Sequence, residues 1–567
     1  MIIKPEELPG GIKRETDIVI IGSGAGGGPI AKELAEEGYG VVVLEEGGHF
    51  TREDFDFRAG QALTRLYRDA SQCVTLGMPT FVLPQGKTVG GTTTINSGTC
   101  LRIPRHVLKR WHLECGLKDI TEDELNLLYG AVEEYLFVKR ADPEVAGKNN
   151  LVFLDSAEKL GYSCGFLPRN AKDCEGYGVC AYGCPSGAKQ SVNASFIPDA
   201  VRAGADVYTR CRVEHIIVRG GRAVGVRGRF IDPLTGKKTH RIEVEAAVVV
   251  LAGGAIQTPS LLMHNRICLS SGRVGKNLSI HPCGAAMALL DESLQNPKGI
   301  PQSVYVDEFA PDGIMLEGVT LPPAVMAITL PWGGRRHAET MWKYPYLGTF
   351  GSMISEHDSS GKVVAGPSAR QPLTLYNLGR GDLERLKRSV LLMAEIWFAA
   401  GAKRVYTPIA GFKELSGPRD LGKLARTHLK RASVYGLSAY HPMGTCSMGG
   451  DPYHSVVKSS GESWEVENLY ICDASVLPTS LGVNPQLTIM ALALRTAGFI
   501  DDRLNEGSFE KQSAGRLERL RGRLRAEKES IARRLSGETT SVQPPSTACT
   551  SAALGTSTSA ALGTSSA

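Results

Sequence analysis

A run of β-branched residues that stops on glycine constrains this chain more than any other feature. Thr16-Asp-Ile-Val-Ile-Ile-Gly22 reads as a strand buried on both faces, and Gly22-Ser23-Gly24-Ala25-Gly26-Gly27 follows directly. A helix is expected from about Gly26 to Glu37 and a second strand from Gly40 to Leu44. Together they form a βαβ unit, which in one sheet is almost always right-handed. The G-x-G-x-x-G spacing has a physical meaning at each glycine: Gly22 permits the tight turn, Gly24 lets the backbone approach a pyrophosphate, and Gly27 lets helix and strand pack closely. The helix N-terminus adds free N–H groups and a partial positive charge for the phosphates. Glu45 ends the second strand, where a carboxylate would accept hydrogen bonds from an adenosine ribose. The unit is expected to bind a dinucleotide, without separating FAD from NAD.

Ala246 to Leu251 reads as another strand of the same kind, ended by Gly253-Gly254, and helical patterns recur at Glu122 to Tyr135 and Asp382 to Ala400. Asp291 to Leu375 mixes short β-like runs with many Pro and Gly, which predicts a separate antiparallel region. The body is therefore α/β with a cap, and 567 residues exceed what one core usually supports. With 42% apolar and 22% charged residues, the composition excludes a disordered, collagenous or coiled-coil chain.

The net charge of +5 is matched by Arg516 to Leu535 alone, which holds seven Arg, one Lys and three Glu. The rest is near neutral and offers no broad basic face for nucleic acid. Leu517, Leu520, Leu524, Ile531 and Leu535 make that basic segment an amphipathic helix, either solvated or docked on an acidic partner or a membrane surface. After Gly537 the chain is Ser/Thr/Ala/Pro-rich, with the octet TSAALGTS at Thr550 and again at Thr558, and disorder is expected. Met1-Ile-Ile-Lys-Pro-Glu-Glu has no signal-peptide core, and the longest apolar stretches fall short of the roughly 18 residues of a membrane span. Thirteen cysteines, an odd number, suggest a reducing compartment, so a cytoplasmic location is expected, with peripheral membrane association through the basic helix as an option.

Further small-residue motifs follow. Gly86-Lys-Thr-Val-Gly90-Gly91-Thr92-Thr93-Thr94-Ile95-Asn96 would let backbone run flush against a flat ligand. Near the end stand Tyr440-His441-Pro-Met-Gly444, then Leu469-Tyr-Ile-Cys-Asp473-Ala-Ser-Val-Leu-Pro478, and Gly482-Val483-Asn484-Pro485 opening an apolar helix. Asp473 follows a strand, at the carboxyl edge of a sheet where ligands bind.

These blocks resemble the glucose–methanol–choline (GMC) oxidoreductases, a family of FAD enzymes. The order of blocks agrees, from the fingerprint through GGTTTIN, Gly254-Ala-Ile-Gln-Thr-Pro-Ser-Leu-Leu262, Val274-Gly-Lys-Asn-Leu278 and HPMGT to DASVLP and NP. Two departures mark a divergent branch: Met-His-Asn-Arg follows Leu262, and Cys100 stands where the family places an aromatic residue or Ala. The resemblance implies a Rossmann-like FAD-binding domain of the GMC / p-hydroxybenzoate hydroxylase-like type with an interleaved α+β substrate-binding cap. On that frame the FAD-binding domain comprises 1–110, 191–290 and 431–505. A helical insertion with a Cys-rich loop spans 111–190, the cap 291–430, and the basic helix and tail 506–567.

By the same resemblance, FAD contacts fall on Gly22, Gly24, Gly27, Glu45, Gly91, Asn96, the backbone of Val213, Asp473, Asn484 and Pro485. His441 and Asn484 match the family's catalytic pair. An alcohol would lose its carbinol hydride to flavin N5, with His441 as base and the Asn484 amide orienting the oxygen. His281, in Ile280-His281-Pro282, is expected to be structural.

Cys174-x5-Cys180-x3-Cys184-Pro185 is the most distinctive cluster. Clustered thiolates suggest iron–sulfur or zinc ligation, with Cys164 as a fourth zinc ligand, or else a metal-free thiol-rich loop. The segment Cys184-Pro-Ser-Gly-Ala-Lys-Gln190 is similar both to long-chain alcohol oxidases and to sugar dehydrogenases whose cysteines at this spacing hold a three-iron, four-sulfide cluster. A cluster would pass single electrons to an acceptor protein or quinone; without one, oxygen becomes the expected acceptor.

The block WEVENLYICDASVLPTSLGVNPQLTIMALALR resembles the long-chain alcohol oxidase and cholesterol oxidase side, so an apolar or sterol-like alcohol is the expected substrate. The alternatives are a sugar or polyol dehydrogenase using the cluster and a flavin-containing lyase of the hydroxynitrile lyase type. An NAD-binding dehydrogenase is disfavoured, because the GGTTTIN and DASVLP blocks have no role there.

Overall fold

Ile18, Val19 and Ile20 are fully buried, and the strand they belong to, Ile12–Ile21, runs through the middle of an eight-stranded sheet. The structure, a computed structural model, describes residues 1–294, 298–505 and Gly522. The expected basic helix and Ser/Thr/Ala-rich tail lie outside the described residues, Gly522 apart.

Across the first sheet the strands run Ile2–Ile3, Asp206–Tyr208, Val41–Leu44, Ile12–Ile21, Lys238–Leu251, Arg222–Ile231 and Cys211–Arg219. Leu469–Ile471 also pairs with Lys238–Leu251. Its first five strands and Leu469–Ile471 are parallel, while Cys211–Arg219, Arg222–Ile231 and Lys238–Leu251 form an antiparallel meander. Gly220 and Gly221, with φ of 57° and 79°, turn the first hairpin, since such a turn needs positive φ twice. Helix Gly27–Glu36 buries Ile30, Ala31, Leu34 and Ala35 and packs against helices Phe196–Arg202 and Gln486–Leu504. This is the expected βαβ frame.

A second sheet of nine strands is built differently. Its order is Glu414–Leu415, Arg404–Tyr406, Cys283–Leu289, Leu347–Ile354, Ile314–Gly318, Val304–Val306 and Cys164–Phe166, and these neighbours are all antiparallel. Leu437–Ser438 joins Cys283–Leu289 and brings in Phe81–Val82. Helix Arg380–Ala399 covers it, with Trp397 fully buried and edge-on to Phe153, which stacks on Phe350. Of the antiparallel region expected between Asp291 and Leu375, Val304–Val306, Ile314–Gly318 and Leu347–Ile354 lie in this sheet, whereas Ser360–Val364 and Leu373–Asn377 form a separate two-stranded sheet. The larger sheet also takes strands from outside that span, Cys283–Leu289 in its interior and Cys164–Phe166 at its edge.

Candidate active site

The glycine turn leaves no room for side chains. Gly22 has φ of +97°, and a Cβ there would lie 2.4 Å from Ala252 O. At Gly26 a Cβ would meet Cys472 O at 1.7 Å, and at Gly27 it would meet Gly22 O at 2.0 Å. The start of helix Gly27–Glu36 is therefore pressed into the strand ends. Gly24 and Gly91 face each other across a gap, the Cβ of a residue at 91 falling 3.0 Å from Gly24 Cα.

Glu45 is buried where the strand Val41–Leu44 ends. Its Oε2 accepts from Ser23 N at 3.0 Å and Ser23 Oγ at 2.7 Å, and its Oε1 accepts from Gly47 N at 2.7 Å. Burial pushes its carboxyl up, and those bonds act against the rise. Ser23 Oγ in turn accepts from Gly90 N at 3.0 Å, tying the fingerprint to the second glycine motif. At neighbouring Glu46 burial acts upward too, but Arg68 and Arg212 outweigh it and hold the carboxyl at about 2.

Asp473, buried after Leu469–Ile471, accepts from Gly254 N at 2.8 Å, Thr258 Oγ1 at 2.5 Å and Ser475 N at 2.7 Å. Asn96 donates to Gln486 Oε1 at 2.7 Å and accepts from Gly98 N at 3.0 Å. A single cavity of ≈ 1560 Å³ is lined by Gly22, Gly24, Glu45, Gly91, Asn96, Val213, Asp473, Asn484, Pro485 and His441. Gly27 stands behind its wall, packed on Gly22. The structure thus brings together at one cavity the expected cofactor residues, Gly27 apart, and the expected catalytic pair.

Glu317 and Asn484, both in the lining of this cavity, are tied to one another. Asn484 Nδ2 donates to Glu317 Oε2 at 3.5 Å, and Gln302 donates to the same oxygen. Glu317 Oε1 and Asn484 Oδ1 are buried with no protein partner. Burial raises the Glu317 carboxyl to about 7, against the pull of Asn484 and Gln302. Burial also holds the His441 ring down at about 4, so it is neutral at pH 7. His281 Nδ1 lies 3.1 Å from His441 Nδ1.

Glu317 and Gln302 were missed by sequence reasoning. The available signal was a lone acid in Ile314–Gly318, a strand that is otherwise apolar or glycine and buried throughout. Ser23 was missed as well, because x positions of a glycine fingerprint carry no expectation.

The metal expectation at Cys174, Cys180 and Cys184 gains no support from the geometry. Among the described residues no three His, Cys, Asp or Glu side chains form a metal-binding group. Arg169 stands at Cys174 and Cys180 instead, with Nη1 4.0 Å from Cys174 Sγ and Nη2 3.5 Å from Cys180 Sγ. Cys184 Sγ accepts from Lys189 N at 3.4 Å, and Cys164 lies in a strand of the second sheet. The loop is fixed by Lys189, whose buried ammonium donates to Thr94 O at 2.8 Å, Asn96 O at 2.7 Å and Cys180 O at 3.0 Å.

FAD fits the site. A bare-glycine cradle, a buried carboxylate for the ribose, and buried polar atoms of Glu317 and Asn484 without a protein partner are what a dinucleotide with a reactive ring would require. No helix among the described residues is long and apolar enough to cross a membrane.

Comparison with known proteins agrees with this geometry. Family models described as GMC oxidoreductase match residues 63–283 and 369–493. The chain is 37% identical to the uncharacterized GMC-type oxidoreductase Rv0492c of Mycobacterium tuberculosis over 85% of its length and 75% of the relative's. It is 30% identical to the long-chain-alcohol oxidase FAO3 of Arabidopsis thaliana, over 85% of this chain and 67% of that one. Pyridoxine 4-oxidase from Mesorbium loti superposes with a TM-score of 0.65 at 18% identity, over 87% of this chain and 100% of that one, a likeness of fold. The chain belongs to the GMC oxidoreductase family and is an FAD-dependent oxidoreductase acting on CH–OH groups.

Proposed function

We propose that this enzyme oxidises an apolar alcohol, long-chain or sterol-like, to the aldehyde or ketone. The observation that carries the reading is the apolar part of the cavity lining, which includes Val82, Met287, Val319, Leu321 and Leu437. Such a lining gains from burying methylenes, about 0.8 kcal/mol each. The relative named a long-chain-alcohol oxidase supports the same class.

FAD would be held by the Gly22–Gly24 turn at its pyrophosphate, Glu45 at the ribose, the Val213 backbone at adenine, and Gly91, Asn96, Asp473 and Asn484-Pro485 toward the ring. Bound there, it supplies the acceptor for the carbinol hydride. His441 and Asn484 hold the alcohol oxygen, and the hydroxyl proton leaves to a base at the same end. His441, the base expected from the family, and Glu317 both stand there.

Anaerobic titration of the FAD-loaded chain with dodecanol, cholesterol, glucose and a cyanohydrin tests the reading. Bleaching of the flavin bands by dodecanol or cholesterol, followed by reoxidation on admitting oxygen, is expected. Bleaching by glucose alone would move the substrate to sugars. Cyanohydrin cleavage with no bleaching by any alcohol would move the enzyme to the lyases.

A further inference from the structure

We propose that Ala285 and Gly351 are specificity-determining residues, the floor of a trough in the cavity that takes the carbon chain of an unbranched alcohol. The proposal rests on alcohol oxidation at this site and names which apolar alcohols it accepts.

Successive side chains of a strand point to opposite faces of its sheet, and directly opposite residues of neighbouring strands share a face. In the second sheet Ala286, Ala288, Leu316, Phe350 and Ile354 belong to the core that includes Met393 and Trp397 of helix Arg380–Ala399. The residues between them face the other way and form cross-strand rows. Cys283 pairs with Met353, Ala285 with Gly351, and Met287 with Thr349. Glu317 pairs with Gly351 from the far side. All of these residues line the cavity.

The middle row is bare where its neighbours are filled. Ala285 is exposed in the interior of the sheet, between a half-buried Cys283 and a buried Met287. In the strand Leu347–Ile354 Gly351 alone is not buried. Val319, which also lines the cavity, leans into the room that Gly351 leaves, its Cγ2 3.0 Å from where a Cβ would stand. The floor is therefore Ala285 and Gly351, and Met287, Met353 and Val319 rise beside it.

One end of the trough is fixed to the reacting groups. Glu317, at the end of the middle row, accepts from Asn484 Nδ2 at 3.5 Å. Cys283, in a flanking row, donates through Sγ to His281 O at 3.3 Å, and His281 Nδ1 lies 3.1 Å from His441 Nδ1. At the other end the sheet is open. Cys283 pairs with Ser438 and Met287 with Tyr406, and Ala285 between them has no strand partner on that side among the described residues. A chain whose hydroxyl sits at His441 and Asn484 thus has a path over Gly351 and Ala285 toward this gap.

Strands lie about 4.8 Å apart, so a row crossing three of them runs about 10 Å. The two flanking rows stand about 13 Å from one another along the strands, and van der Waals contact takes about 4 Å at each. One extended chain fits between them. A fused-ring nucleus with methyl groups out of its plane would ride up on Met287 or Met353.

The test follows anaerobic reduction of the FAD-loaded full chain by butanol, octanol and cholesterol, in the unmodified enzyme and in Ala285→Val, Ala285→Phe and Gly351→Ala. In the unmodified enzyme kcat/KM is expected to rise from butanol to octanol by about fourfold for each methylene, and to be lower for cholesterol than for octanol. Ala285→Phe excludes two or more methylenes, so it should lose about tenfold or more on octanol and less on butanol. Ala285→Val should lose less, and Gly351→Ala, which displaces Val319, should act in the same direction. The side chain at 285 grows into open space, so Ala285→Val decides the matter even where Ala285→Phe fails to fold. An equal dependence on chain length in Ala285→Val and the unmodified enzyme overturns the proposal, as does faster reduction by cholesterol than by octanol.

If no alcohol reduces the flavin, the proposed function fails, and binding decides the trough separately. Octanol should then shift the flavin bands and the melting temperature of the unmodified chain and leave those of Ala285→Phe in place. Octanol that shifts neither protein, or both alike, overturns the trough.

Discussion

Burial drives Glu317 and His441 toward the same uncharged condition from opposite sides, and the stability of the protein should record it. The Glu317 carboxyl rises from 4.5 to about 7, so the folded chain binds this proton more tightly than the unfolded chain does. Its contribution, roughly 3 kcal/mol, is present below pH 4.5 and is lost as pH climbs through 7. Glu317→Gln does not titrate, so its melting temperature should gain on the unmodified chain as pH rises from 4 to 8. Calorimetry of both proteins across that range checks this, and a constant gap would count against a buried, poorly partnered carboxylate. Lys189 offers a second case. Lys189→Met would orphan three backbone carbonyls, at roughly 1–3 kcal/mol for each left unsatisfied. Two of those carbonyls, Thr94 and Asn96, belong to the second glycine motif, so weaker FAD retention should accompany the lower melting temperature.

Among elements, the seat of helix Gly27–Glu36 against the strand end at Cys472 is unforgiving. Gly26→Ala would place a Cβ 1.7 Å from Cys472 O, a backbone atom that cannot swing aside. Loss of bound FAD and a fall in melting temperature are expected, measurable by flavin content after gel filtration. Much of this element was legible in the sequence, because a β-branched run, a glycine spacing and a terminal acid all act within 30 residues of chain. Helix Glu122–Tyr135 was legible for the same local reason, with Thr121 capping it through Glu124 N. Glu317 was not legible, since its meaning comes from Asn484, 167 residues away. The cysteine spacing alone likewise gave no sign that Arg169, carried in by the short strand Pro168–Asn170, stands beside two of the thiols.

At the scale of the whole molecule, one cavity is lined by residues of both large sheets. Val213 lies in a strand of the first, and Glu317 and Phe350 lie in strands of the second. A ligand that fills it should therefore stabilise both together, by about 2.7 kcal/mol at a hundred times its dissociation constant. Hydrogen exchange should show this in two stages. FAD alone is expected to protect Gly22–Gly26 and the 86–96 segment, and an added apolar alcohol to extend protection to Ile314–Gly318. Protection confined to the first sheet under both conditions would place the substrate elsewhere.

The close approach of Gly24 and Gly91 has a consequence for how such a chain can change over time. They come from loops tied together by the bond from Gly90 N to Ser23 Oγ, across 67 residues of sequence. A side chain gained at Gly91 would press on Gly24, and one gained at Gly24 would face Gly91 and enter the space kept for the cofactor. The constraint is tighter at Gly91, where φ is +54° and a Cβ would lie 3.0 Å from Gly24 Cα, than at Gly24, where a Cβ would meet Gly91 Cα at 3.9 Å. A library randomised at both should therefore return glycine more strictly at 91 than at 24 among variants that retain FAD.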